Sequence, residues 1–253
     1  MNRKSKDSSR RSFRQQRTVQ CSLSSLPADD ATYVSVDRSA YRIGKREFKG
    51  SPLKCIGIPS SVKIIDEEAF RECIRMTNVE LCEGLEQIKK DAFLSCMALR
   101  GIKIPSTVKT ICKSAFCYCT NLEYAELAKG LEHIGNFAFL KCTSLTSIAV
   151  PSTVEIIGEG AFQGCTQLFH ATLEEGVKQI KKKAFSKCTS LKQIKIPSSV
   201  HVIGAEAFRN CTQLECLVLD KGPDHVRNGA FDFTNSPKPV SYTHLTLPTK
   251  RIV

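Results

Sequence analysis

Cysteine and histidine are the residue types in this chain that could do chemistry. The 253 residues include thirteen cysteines and five histidines, enough for zinc sites, disulfides or a cysteine–histidine nucleophile pair. Seven of the cysteines recur at a constant interval: Cys73, Cys96, Cys119, Cys142, Cys165, Cys188 and Cys211. The other six are Cys21, Cys55, Cys82, Cys112, Cys117 and Cys216. The histidines, His133, His170, His201, His225 and His244, share no ligand-like spacing and belong to no nucleophile motif, and no glycine-rich phosphate loop is present. The sequence therefore predicts no catalytic, metal or cofactor site.

The interval between those cysteines is 23 residues, and it governs most of the chain. Repeat units begin at Leu53, Met76, Leu99, Leu122, Leu145, Leu168, Leu191 and Leu214. Each follows the pattern L-x-x-I-x-I-P-S-S/T-V-x-x-I-G-x-x-A-F-x-x-C-x-x. The Ala-Phe pair predicts one core phenylalanine per unit: Phe70, Phe93, Phe116, Phe139, Phe162, Phe185, Phe208 and Phe231. A constant period of about 20 to 50 residues is typical of a solenoid or another repeat array.

A second period of 46 residues is superimposed on the first. Units one, three, five and seven contain IPSSV, IPSTV, VPSTV and IPSSV, whereas units two, four and six contain CEGL, AKGL and EEGV at the same place. Proline fixes φ in one kind of unit, and glycine supplies backbone freedom in the other. The repeating block is therefore a pair of coils with alternating turn chemistry.

Each unit can be interpreted as one coil. L-x-x-I-x-I alternates inward and outward as a strand does, V-x-x-I forms a second short inward segment, and A-F-x-x-C is expected to make a tight helical turn. One coil cannot bury its own apolar residues, but coils stacked about 4.8 Å apart share a core and pair their strands into a parallel sheet. Stacked cysteines then point in one direction along a line, so we predict that they pack as small apolar side chains instead of forming disulfides or zinc sites. The densest cluster, Cys112-x4-Cys117-x-Cys119, has no nearby histidine to complete a site.

The repeat resembles the BspA-type leucine-rich repeats, whose consensus contains I-P-S-S-V-x-x-I-G-x-x-A-F-x-x-C. In the first unit Pro59, Val62, Ile65, Phe70 and Cys73 fall on that motif. The resemblance implies a leucine-rich-repeat solenoid: a right-handed superhelix with a parallel β-sheet on one face and short strands or helical turns on the other. It also implies recognition of proteins or surfaces, with no common catalytic residues. Bacterial surface adhesins belong to this family, but no export signal is recognisable in this chain.

The repeat pattern sets the expected boundaries. Residues 1–29 form a basic arm, 30–52 a degenerate first repeat that caps the array, and 53–236 the eight repeats. Residues 237–253 are interpreted as a non-native tail, because VSYTHLTLPT at 240–249 resembles the translation of a sequencing adapter. On this interpretation the chain is a truncated fragment of a longer array.

The formal charge of +12 is concentrated at the ends of the chain. Residues 1–29 hold seven Lys and Arg residues against two Asp, whereas residues 30–237 hold 27 basic and 23 acidic residues. The basic arm has three interpretations: a disordered segment, an organelle transit peptide, or an arm that binds nucleic acid or an acidic partner. No apolar run is long enough to span a membrane. With no recognisable signal peptide, the predicted location is the cytoplasm.

The outward-facing strand residues are the predicted partner-binding surface, because they are free of core duty. The candidates are Arg100, Lys103, Tyr124, Phe169, His170, Lys192, Gln193 and Lys195. The leading hypothesis is a monomeric, non-enzymatic scaffold that binds a protein through this face. One alternative is binding of nucleic acid or another polyanion by the basic arm and by the lysines of coil six: Lys178, Lys181, Lys182, Lys183 and Lys187. Another is that the array is the recognition part of a larger, truncated multidomain protein.

Overall fold

The chain folds into a stack of coils, each made of one longer and one shorter β-strand. The computed structural model describes residues 33–220 and 222–232, together with the backbone of 241–243. The predicted basic arm, Cys21, His244 and most of the predicted tail lie outside these residues. The strands are numbered in chain order, so the longer ones carry odd numbers and the shorter ones even numbers. The longer strands are β1 (Tyr33–Ser35), β3 (Cys55–Ile58), β5 (Asn78–Leu81), β7 (Gly101–Ile104), β9 (Tyr124–Leu127), β11 (Ser147–Val150), β13 (His170–Leu173), β15 (Gln193–Ile196), β17 (Cys216–Leu219) and β19 (Ser241–Thr243). The shorter strands are β2 (Arg42–Ile43), β4 (Ile64–Ile65), β6 (Gln87–Ile88), β8 (Thr110–Ile111), β10 (His133–Ile134), β12 (Ile156–Ile157), β14 (Gln179–Ile180), β16 (Val202–Ile203) and β18 (His225–Val226).

All strand pairing is parallel and joins equivalent positions of successive coils. The nine shorter strands form one continuous sheet from β2 to β18. His133 pairs with Ile156, one repeat further along, as the repeat predicts. The degenerate repeat at 30–52 is one residue shorter than the 23-residue period, because Arg42 pairs with Ile64. Strand β19, within the predicted tail, pairs with β17 through Cys216 and Ser241, two residues out of the 23-residue register.

The recurring phenylalanines form a continuous stack along the solenoid. Neighbouring rings from Phe48 to Phe231 lie 5.0 to 5.6 Å apart, between centroids, and are nearly parallel. The seven rings from Phe70 to Phe208 are fully buried. Phe231 packs against Phe208 but is only partly buried, since it is the last ring of the stack. Each buried ring removes apolar surface from water and contributes on the order of 1.5–3 kcal/mol.

The A-F-x-x-C segment is not the helical turn that the sequence predicts. No helix occurs among the described residues, and this segment together with the residue before it forms successive turns with two left-handed residues, such as Ser114 (φ 56°) and Tyr118 (φ 60°). A positive φ is incompatible with a right-handed helix. The backbone groups bond between coils instead, as where the Phe116 N–H donates to the Ala138 carbonyl at 2.8 Å. Hydrogen bonds along the stack therefore replace those along a helix.

The ladder of longer strands alternates with the 46-residue period. Four residue pairs join β7 to β9 and β11 to β13, but only two join β9 to β11, and no ladder joins β5 to β7. The Ala128 N–H donates to the Ile104 carbonyl at 3.3 Å. In the following coil the equivalent residue is Pro151, which has no N–H to donate to Leu127. Each proline coil therefore pairs less completely with the coil before it.

The ladder cysteines are packing residues that also satisfy a backbone group. The Cys142 thiol donates to the Phe116 carbonyl at 3.2 Å, and the same bond recurs from Cys73 to Cys211. All seven are fully buried, and no disulfide links them. Burial raises the pKa of Cys165 and Cys211 to about 12. Within the described residues no cluster of three potential ligands could hold a metal ion.

Candidate recognition surface on the strand face

The outward side chains of the longer strands form a surface that the core does not use, here called the strand face. Along β9, β11, β13 and β15 the residues alternate between exposed and buried, so two side chains per strand point away from the interior. The residue before each strand is also exposed on this side in coils three to seven, from Arg100 to Lys192. Strict parallel register then aligns these side chains in columns across the coils.

Five of the eight predicted partner-binding residues lie together on β13 and β15 or directly before them. His170 pairs in register with Gln193, and the Lys192 Nζ lies 5.1 Å from the centroid of the Phe169 ring. The Phe169 side chain is 50% exposed although it is a large apolar group. With Lys195, also exposed on β15, these five residues are called the aromatic–basic patch.

The polar groups of the aromatic–basic patch are only partly neutralised by their neighbours. Lys195 pairs with Asp220 at 2.9 Å, and the His170 Nε2 lies 3.3 Å from the Thr172 hydroxyl. Lys192 makes a cation–π contact with Phe169 but no ion pair with any described residue. The patch therefore presents an apolar ring together with an uncompensated positive charge.

The other three predicted residues lie on a separate part of the strand face. Arg100 and Lys103 belong to the coil of β7, and Tyr124 begins β9. Lys103 pairs with Glu126 at 3.1 Å. The Tyr124 ring lies directly over Gly101, where an added Cβ would come within 2.0 Å of the ring. Strand β11 separates this group from the patch, and its outward residues, Ser147 and Ala149, are small.

The strand face also contains a groove between β5 and β7, which the repeat pattern did not predict. It has a volume of about 970 Å³, and its lining includes Asn78, Glu80, Cys82, Gly101, Lys103 and Tyr124. Burial raises the pKa of the Glu80 carboxyl above its usual value. Sequence reasoning missed Glu80 because it looked like one more outward polar residue. Its register between Gly57 and Lys103 was the available signal.

The coil-six lysines lie away from the strand face, around the shorter strand β14. Lys178 pairs with Glu155 at 2.7 Å, and Lys183 pairs with Glu206 at 3.7 Å. Lys181 and Lys182, with Arg227, line a recess of about 390 Å³ that also contains Glu159. Lys187 is exposed in the turn that follows. Two of the five predicted lysines are thus already in ion pairs, and two share a recess.

The four histidines that the structure describes do not converge on a common site. His133 is half-buried on β10, His170 lies on the strand face, and the His201 Nδ1 lies 3.2 Å from the Asp224 carboxylate. His225 is exposed on β18. The part of the chain that the structure describes contains no helical segment able to cross a membrane.

These features define a class of protein: a parallel β-solenoid with a stacked phenylalanine core and an exposed strand face. The model of the BspA type leucine-rich repeat region matches residues 41–168 and 132–246, with six copies. The chain therefore belongs to the BspA-type leucine-rich repeat family, as the repeat motif predicted.

Solved structures of bacterial leucine-rich repeat proteins share this fold. A leucine-rich repeat protein of T. pallidum is 27% identical with a TM-score of 0.54, over 73% of this chain and 78% of that one. One from Eubacterium ventriosum is 20% identical with a TM-score of 0.54, over 85% of this chain and 66% of that one. A search of curated proteins gave no match.

Proposed function

We propose that the chain is a non-enzymatic, monomeric scaffold that binds a protein partner through its strand face. The observation that carries the proposal is the aromatic–basic patch, where Phe169 is half-exposed although the core has no need of it. Exposed aromatic side chains beside cations are typical of the residues that dominate binding energy at protein interfaces. Membership of a leucine-rich repeat family is consistent with this role.

The shape of the strand face also favours a protein ligand. Between the columns of Tyr124 and His170 lies β11, with only Ser147 and Ala149 facing outward. Two strand spacings separate the two columns, about 10 Å. This leaves a shallow channel that the Phe169 ring borders on the β13 side, whereas the Tyr124 ring folds over Gly101, away from β11. One extended segment of a partner would fit there, with its side chains packed against the Phe169 ring.

Site-specific photo-crosslinking tests this proposal. Benzoylphenylalanine replaces Phe169 in one variant and Tyr118, an exposed aromatic residue in an A-F-x-x-C turn, in the other. The expected result is one discrete crosslinked partner from residue 169 and none from residue 118. Equal crosslinking from both positions would overturn the proposal. So would the absence of a crosslinked partner from residue 169 in every protein mixture tested.

A second candidate function is polyanion binding by the coil-six recess, favoured by Lys181, Lys182 and Arg227 lying together with no ion pair among the described residues. Contacts to phosphate or sulfate groups release counterions, so affinity for heparin should fall steeply with salt. The K181E/K182E variant should elute from heparin at lower salt than the wild type. The K178E variant, which removes a lysine already paired with Glu155, should change elution much less. Equal elution of both variants would contradict this candidate.

A further inference from the structure

Among the described strands, β5 and β7 are the neighbouring longer strands that no ladder joins, and the groove lies between them. The sheet of longer strands divides there into β1–β3–β5 and the strands from β7 onward. The outward positions around the break are small or absent: Gly57 on β3 and Gly101 on β7 carry no side chain. The result is a concavity of about 970 Å³ in the strand face.

Glu80 is the acidic group of this groove that lacks a partner among the described residues. In its column Gly57 precedes it and Lys103 follows it, but Lys103 is held by Glu126 on the far side at 3.1 Å. Glu83, a second acid of the lining, accepts hydrogen bonds from the Ser106 N–H and hydroxyl. Glu80 is half-buried and makes no ion pair or hydrogen bond with the described residues. Arg38 is exposed and also contributes to the lining.

An aromatic ring lines the same groove as this carboxylate. The Tyr124 ring is folded over Gly101, which brings it from its own strand to the strand next to β5. The ring is thus about one strand spacing from β5, on which Glu80 lies. The side chain remains 45% exposed, so one part of the ring is open to a ligand. A carboxylate next to an aromatic ring suits a planar cation, because guanidinium both stacks on rings and forms bidentate bonds to carboxylates.

We infer that the groove between β5 and β7 receives an arginine side chain of a protein partner, whose guanidinium pairs with Glu80 and stacks against the Tyr124 ring. The inference rests on the proposed function, because it specifies one subsite for the partner on the strand face. Local charge complementarity at Glu80 selects the occupant. With Glu83 bound to Ser106, Glu80 is the acidic lining group left to attract a cation, while Lys103 is paired with Glu126 and Arg38 is exposed.

A titration with short peptides tests the inference without the natural partner. The probe is the full chain labelled with ¹⁵N, titrated with acetyl-Gly-Ser-Arg-Ser-Gly-amide and with the same peptide containing citrulline, the uncharged analogue of arginine. We expect the arginine peptide to bind weakly, in the millimolar range, and to shift the amide signals of residues 78–83 and 101–103. The citrulline peptide should bind at least about tenfold more weakly, as expected when a charge-assisted pair is lost.

Variants assign the binding to the two groove residues. Glu80→Gln keeps the shape of the side chain and should weaken arginine-peptide binding at least about fivefold. Glu123→Gln removes an exposed acid of the same face outside the groove and should leave it unchanged. Tyr124→Leu should weaken binding by a smaller factor. Absent or scattered shifts, equal binding of the citrulline peptide, or unchanged binding in Glu80→Gln would overturn the inference. The double variant Phe169→Ala/Lys192→Ala should leave peptide binding intact, which separates this test from that of the proposed function.

Discussion

At the scale of single residues, glycine is required at one kind of turn and dispensable at another. In the A-F-x-x-C turns φ is 56–62° at non-glycine residues, a left-handed region that other residues tolerate. At Gly84, Gly130 and Gly176 it is 105°, 130° and 127°, which only glycine adopts readily. A Cβ on Gly130 would lie 2.0 Å from the Ser106 carbonyl oxygen of the preceding coil. The 46-residue period therefore has a steric cause.

Replacing Gly130 by alanine should destabilise the chain by about 2–4 kcal/mol, because both the backbone conformation and the contact with Ser106 become strained. The variant Gly50→Ala is the matched control, since Gly50 also has a positive φ (68°) but nothing lies within 4 Å of its Cβ position. That change should cost only about 1 kcal/mol. Urea denaturation of both variants measures the difference, and equal midpoints would refute the steric explanation.

The ionised Glu68 side chain links the degenerate repeat at 30–52 to the coil that follows it. Its carboxylate lies 2.7 Å from Arg46 and 3.4 Å from Lys49, both in the degenerate repeat, and 3.3 Å from Arg71. The Arg46 guanidinium lowers the pKa of Glu68 to about 2, with burial opposing and Lys49 adding to the shift. Asp66 is also paired with both neighbouring coils, through Arg42 and Lys89.

Because the folded-state pKa of Glu68 lies below its usual 4.5, its stabilising contribution is present above that pH and disappears as the pH falls toward about 2. The wild type should therefore melt at a higher temperature than Glu68→Gln near neutral pH, and the gap should close between those two values. Thermal unfolding followed across that range tests this. A difference in melting temperature that stays constant down to the lower of those two pH values would show that Glu68 does not act through its charge.

At the scale of elements, the sequence predicted the stacking but not the closure of each coil. The 23-residue spacing of Leu, Ile and Phe is enough to predict parallel strands and a phenylalanine stack, because identical positions in successive coils must meet. It could not predict the turns at Ser114 and Tyr118, since A-F-x-x-C is compatible with a helix when only local spacing is considered. Hydrogen bonds between coils, such as Phe116 to Ala138, decide the outcome.

The candidate site was predictable only in part for a related reason. Alternation along each strand indicates which side chains face outward, and Phe169, His170 and Lys192 do so. The groove at Glu80 depends on the missing ladder between β5 and β7 and on the Tyr124 ring folding over Gly101. Both involve contacts between coils that a one-dimensional pattern does not contain. The proline that follows the longer strand in units one, three, five and seven was the available signal for a weaker ladder.

The uneven ladder predicts uneven protection of the backbone from solvent exchange. Lys103 lies on β7, which among the described strands is paired only with β9, whereas its register partner Glu126 lies on β9, which is paired with both β7 and β11. We expect the amide proton of Lys103 to exchange at least about tenfold faster than that of Glu126. Hydrogen exchange followed by NMR measures both rates in one sample. Equal rates would mean that β5 and β7 are joined as tightly as the other neighbouring longer strands.

At the scale of the whole molecule, the interior and the surface of the stack have different roles. The interior holds the phenylalanine and cysteine ladders, and ion pairs such as Lys109–Glu132 and Lys178–Glu155 link successive coils outside it. The strand face carries aromatic residues that neither duty explains. In a repeat protein each coil contacts only its neighbours, so a face built from several coils offers an extended surface for a partner. We propose that this face recognises a protein.

The most direct test compares the affinity of the crosslinked partner for two matched double variants. Phe169→Ala/Lys192→Ala removes the cation–π pair of the strand face, and Tyr118→Ala/Lys141→Ala removes a pair of the same 5.1 Å geometry in the A-F-x-x-C turns. We predict that the first lowers the affinity at least about 30-fold, as loss of an interface hot spot does, and that the second leaves it within about twofold. Equal affinities of the two variants for the partner would contradict the account.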